Sequence, residues 1–109
     1  MSTQSTPTHL LIHRYTPGTG PQEGTPEWDA EMKEWARIDQ ELRASGQLTA
    51  GWALHEASSS LGAAESSSGT QVIFAVHAVV AESESEAERI AARMPHLGYG
   101  STEIHPVMS

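Results

Sequence analysis

The stretch QVIFAVHAVVAESESEAERIAARMP, residues 71–95, decides the fold. Its first part, Gln71 to Ala81, carries Val72, Ile73, Phe74, Val76, Val79 and Val80, residue types that suit a pleated, buried surface. The apolar side chains fall on both alternations, which predicts a central strand. From Ser83 to Met94 the period changes. Ala87, Ile90, Ala91 and Met94 recur three and four apart, the stripe of an amphipathic helix. Ser83 followed by Glu86 is a capping box, the run Glu82, Glu84, Glu86, Glu88 complements the helix dipole, and Pro95 ends the helix.

Upstream, His9 to Tyr15 reads as a strand with three consecutive apolar residues, Leu10, Leu11 and Ile12. Thr16 to Gly24 is a Pro- and Gly-rich loop. Thr25-Pro26-Glu27 is a helix start. The helix runs to about Ala44 on a stripe of Trp28, Met32, Trp35, Ile38 and Leu42, and Ser45-Gly46 stops it. Asp39 and Glu41 fall on its polar side and are expected to be solvated. Leu48 to Leu54 is a second strand, Ala57 to Gly69 with its six serines is a loop, and Ser101 to Val107 is the last strand. The order β-α-β-β-α-β predicts a ferredoxin-like α+β domain. Four antiparallel strands lie in the order 4-1-3-2, both helices cover one face, and the other face is left for solvent or a second copy. Residues 1–7 are expected as a tail and 8–109 as a single domain.

At 109 residues the chain fits one domain. Six Lys and Arg against fourteen Asp and Glu give a net charge of −8, which argues against nucleic acid and anionic membranes as partners. No apolar run approaches the roughly 20 residues of a membrane span, and Met1 to Thr8 lacks the basic start and apolar core of a signal peptide. A cytoplasmic protein is expected. With no cysteine, disulfides, thiolate metal sites and cysteine nucleophiles are excluded. No Gly-rich phosphate loop follows a strand, so no cofactor is indicated.

Three segments carry a family resemblance: Glu41 to Leu48 with Gly51 to His55, the helix Ser83 to Pro95, and the closing Tyr99-Gly100-Ser101-Thr102-Glu103-Ile104-His105-Pro106-Val107. In order and spacing they resemble the YCII-related (YciI-like, DGPF-motif) family over most of residues 8–108. The resemblance implies a homodimeric α+β barrel, two sheets facing each other around a cavity. A few relatives are cofactor-free lyases or dehydrochlorinases, and a His–Asp pair has been proposed as catalytic in the founding type. The DGPF motif is absent here and the first helix holds no histidine, so those catalytic residues do not transfer.

Histidine is the unusual feature: His9, His13, His55, His77, His96 and His105. His13, His77 and His105 lie in three strands that neighbour one another in a 4-1-3-2 sheet. Leu10 and Ile12 suit the helix side of strand one, which turns Leu11, His13 and Tyr15 to the cavity; in strand four Ser101, Glu103, His105 and Val107 suit the cavity; the direction of His77 is not determined. The functional reading is a small-molecule site doing acid–base chemistry of isomerase, lyase or cyclase type, since imidazole takes both protonation states near neutral pH. Its catalytic candidates are His13, His105, Glu103 and Tyr15, and its substrate-binding candidates His77, Trp52, Tyr99 and His55. Two alternatives stand beside it: histidines that merely line an interface in a non-catalytic binding module, and a metal site of His13, His77 and His105. Trp28 and Trp35 read as core, and His9, His55 and His96 as surface.

Overall fold

Thr25 closes the first helix by accepting the Trp28 N–H on its hydroxyl at 3.2 Å, with Pro26 in the first turn. Ser83 does the same for the second, from Glu86 at 3.1 Å, while the Glu86 carboxylate accepts the Glu82 N–H at 3.0 Å. These caps punctuate a computed structural model that describes residues 6–56, 58–59, 61–62 and 71–108. Its elements are β1 (His9–Tyr15), α1 (Pro26–Ala44), β2 (Leu48–Ala53), β3 (Val72–Val79), α2 (Glu84–Ala91) and β4 (Gly100–Pro106). The serine-rich loop expected over 57–69 and the start of the expected tail lie largely outside the described residues. Among those residues no helix is long and apolar enough to cross a membrane.

The four strands form one antiparallel sheet in the order β2-β3-β1-β4, the predicted ferredoxin-like arrangement read from its other edge. Both helices pack on the same face: Ile38 and Leu42 of α1 and Ala87, Ile90 and Ala91 of α2 share one core with Leu11, Leu48, Val79 and Met94. The helix α2 is shorter than expected, but a further turn keeps Met94 inside, with Arg93 N–H bonded to Ile90 O at 3.1 Å.

One expectation is reversed. Leu11 and His13 are fully buried toward the helices, whereas Leu10 and Ile12 are half-buried on the opposite face. Three consecutive apolar residues carry no alternation, so Leu10 and Ile12 suit the helix side no better than Leu11 does. His13 is nonetheless buried, because it finds hydrogen-bonding partners under α1.

The pairing of β1 with β3 slips by one residue after His13, so that His13 faces Ala75 and Arg14 faces Ile73. The extra residue is Phe74, whose ring lies among Trp35, His13 and His96 on the helix side. At the start of β4, a Cβ on Gly100 would sit 2.2 Å from the Arg14 carbonyl oxygen and 2.8 Å from the His96 ring. Backbone cannot yield as a side-chain tip can, so Gly100→Ala should destabilise the domain by about 1–3 kcal/mol. Urea unfolding checks this; an unchanged midpoint would show that the β1–β4 approach is looser than described.

Candidate functional site

Leu11 pairs with His77 and His13 with Ala75 across β1 and β3, and His13 pairs with Thr102 across β1 and β4. The sheet therefore sets His13 between His77 and Thr102, with ring centroids of His13 and His77 4.9 Å apart. His96, in the turn after α2, brings its ring to 5.1 Å from His13. Trp35 descends from α1, stacked on His96 at 5.3 Å and edge-on to His13 at 5.5 Å. His13 and His96 have no exposed surface, and His77 has 5%.

The polar atoms form one line with a single consistent direction. His96 Nε2 lies 2.8 Å from the Ser101 carbonyl oxygen, which can only accept, so Nε2 carries the proton. Thr102 Oγ1 lies 3.3 Å from the same nitrogen and 2.8 Å from His13 Nδ1. His13 Nε2 lies 2.9 Å from His77 Nδ1, and His77 Nε2 lies 3.1 Å from Asp39 Oδ1. At that far end the Asp39 carboxylate favours a proton on His77 Nε2. The assignment that satisfies the bonds between them has Thr102 O–H donating to His13 Nδ1 and His13 Nε2–H donating to His77 Nδ1, with His77 Nε2–H lying beside Asp39. All three imidazoles are neutral Nε2–H tautomers. His96 Nδ1 is left without a donor among the described residues. The Asp39 contact is close but off the N–H axis, and Asp39 Oδ1 has no well-directed hydrogen bond.

Burial enforces this neutrality. It is the main cause that lowers the pKa of His13 to about 3, with the neighbouring His77 and His96 acting in the same direction. Burial also lowers His77, against the opposing pull of Asp39, and lowers His96, against its bond to Ser101.

The line ends in a groove of about 300 Å³ between α1 and the β2–β3 edge, whose walls include Met32, Trp35, Asp39, Trp52, Phe74 and His77. Gly51, opposite His77, makes room for the ring: a Cβ there would sit 2.8 Å from His77 Cδ2. A second cavity, of about 260 Å³, lies past Trp35 and Phe74 toward the β1–α1 loop and is walled by Tyr15, Trp28, Glu31 and Tyr99 among others.

Of the residues singled out by sequence, the structure brings His13 and His77 together. His105 and Glu103 form their own 3.3 Å contact on the opposite, open face, where Glu103 pairs with Ile12 and His105 with Leu10. Tyr15 and Tyr99 line the second cavity, Trp52 is at the groove, 55% exposed, and His55 is exposed beyond β2. The three-histidine set with His105 is not assembled, and among the described residues no group of three or more His, Asp or Glu is placed to hold a metal ion. Three readings are corrected. Asp39 is not simply solvated, since it meets His77. His96 is not on the surface, since it lies under Trp35. His9 is not on the surface either: it is buried at the start of β1, with Nε2 3.2 Å from Glu84 Oε1. Asp39 was within reach of the sequence: four residues after Trp35 and three before Leu42, it flanks the apolar stripe. His96 carried no such signal.

No family model matches this chain, and no curated protein matches it.

The buried imidazoles set a pH dependence. His13 titrates near 6.5 when unfolded and about 3 when folded, so between those values the unfolded state holds more protons. Stability is full above about 6.5 and is lost as pH falls toward 3. Each pH unit in that window costs about 1.4 kcal/mol for His13 alone, and His77 and His96 add in the same sense. Urea midpoints measured from pH 7.5 down to 4.5 should fall steeply, and His13→Gln should flatten the slope. Equal slopes in both proteins would remove His13 from the account.

Proposed function

We propose that the groove between α1 and the β2–β3 edge binds a small organic molecule, and that Asp39 and His77 carry out cofactor-free proton transfer on it, of isomerase, lyase or cyclase type. The observation that carries this reading is the 3.1 Å contact of Asp39 with His77 at the groove wall, with His13 bonded to the other nitrogen of the same ring. Asp39 brings its carboxylate to the groove wall, with 39% of its side chain exposed and Oδ1 buried against His77, and His77 supplies an N–H beside it. A base and a hydrogen-bond donor side by side can take a proton from carbon while holding the charge that develops on a neighbouring oxygen. His13 is a positioning residue: it occupies His77 Nδ1 and keeps the proton on the groove side.

The YCII-like reading supports a cytoplasmic homodimer. Leu10, Ile12 and Val76 share the open sheet face, with the Arg14–Glu103 pair at 3.4 Å beside them, and a second copy would cover this apolar surface. Sedimentation at micromolar concentration should then give twice 11.7 kDa; a monomer would sink the dimer and leave the groove within one chain untouched.

The acid–base test is exchange in D2O. Small carbonyl compounds and hydroxy acids that raise the melting temperature are incubated with the protein, and deuterium entry at their acidic C–H is followed by NMR. The wild type should catalyse entry, and Asp39→Asn should bind the same compounds while slowing entry about 100-fold or more. Ligands bound equally by both proteins, with no exchange in either, would identify a non-catalytic binding module.

A further inference from the structure

The second cavity has a composition unlike the rest of the molecule. The chain contains three Trp, two Tyr and one Phe, and every one except Trp52 lines this hollow: Tyr15, Trp28, Trp35, Phe74 and Tyr99. The rings meet at corners. Tyr15 stands at 90° to Phe74 and 88° to Tyr99, and Trp35 stands at 85° to Phe74, with centroids 5.4, 6.4 and 5.9 Å apart. The one charged group in the wall is Glu31. Its Oε2 accepts from Trp35 Nε1 at 3.2 Å and from the Tyr99 hydroxyl, so two of the aromatic walls hold the carboxylate in place while Oε1 carries neither bond. The loop before α1 closes the side: Gly20 lies so near the Tyr99 ring that a Cβ would sit 2.7 Å from it.

We infer that this cavity is a binding site for a small organic ammonium cation, with a quaternary or tertiary amine head group. Aromatic faces carry negative electrostatic potential, and several of them around one point attract a weakly hydrated cation while rejecting a hydrated one. A fixed carboxylate in the wall supplies the counter-charge without an ordering cost on binding. No Lys or Arg is among the lining residues, and the net charge of −8 favours cations generally. A half-open hollow of about 260 Å³ suits a head group rather than a large ligand. The site is separate from the Asp39–His77 pair, on the other side of Trp35 and Phe74, and does not depend on the acid–base reading.

The test uses choline and its uncharged isostere 3,3-dimethylbutan-1-ol, titrated at constant ionic strength and followed by the indole N–H resonances of the three tryptophans. Choline should shift Trp28 and Trp35 saturably and leave Trp52 in place, and the alcohol should bind at least tenfold more weakly. Glu31→Gln should weaken choline about fivefold or more and leave the alcohol unchanged. Trp28→Leu, which alters a half-exposed wall outside the core, should weaken choline as read at Trp35 even if Glu31→Gln fails to fold. Equal binding of alcohol and choline would make the hollow merely apolar and overturn the proposal. So would the absence of any choline shift, or a shift confined to Trp35 and Trp52, which would place the ligand in the other groove.

Discussion

Three imidazoles buried under one helix impose a condition that the surrounding structure meets. A buried ring must give up its charge, and each nitrogen needs a partner of the right kind. The Ser101 carbonyl at one end and the Asp39 carboxylate at the other are both pure acceptors, which favours one set of proton positions on the rings between them. Thr102 can serve either as donor or as acceptor and makes the direction continuous through β4. Gly51 and Gly100 belong to the same condition, since each leaves the space in which a histidine ring lies. The pairing of β1 with both neighbours, the seat of α1 and the turn after α2 all converge on this line.

The first helix divides its work along its length. Toward its C-terminal end, Ile38 and Leu42 are fully buried and hold the helix to the sheet. Toward its N-terminal end, Trp28, Met32 and Trp35 continue the same stripe, but Met32 is 37% exposed and the large side chains roof hollow space. Stability therefore comes chiefly from one end of α1, and the other end can meet ligands. The exposed face carries Arg37 between Glu34 and Glu41, with Arg93 reaching Glu41 from the end of α2; such exposed pairs contribute little to stability.

The architecture was legible in the sequence because its signals are local. The change of period after Ala81, the caps at Thr25 and Ser83 and the stop at Gly46 place the elements, and the bounds of β1 agree residue for residue. The candidate site was legible only in pieces. His13 and His77 stand out as histidines within strands, but Leu10, Leu11 and Ile12 give no phase from which to read which way β1 faces. Setting Leu10 and Ile12 toward the helices turned His13 away from them, whereas bonds to Thr102 of β4 and His77 of β3 make its burial tolerable. Asp39 looks like any acidic residue on a helix until His77 is beside it. His96 and the aromatic hollow depend on loop geometry, which residue types alone do not fix.

The slip between β1 and β3 has a further consequence. Phe74 and His77 are three residues apart, an odd spacing, and in an unbroken strand they would project from opposite sides of the sheet. The extra residue resets the phase, so that the aromatic partition and the histidine line share one side. The count of residues in β3 is thus as much a part of the site as their chemistry. Loss of a single residue there would leave every side chain present and part the two cavities from their common wall.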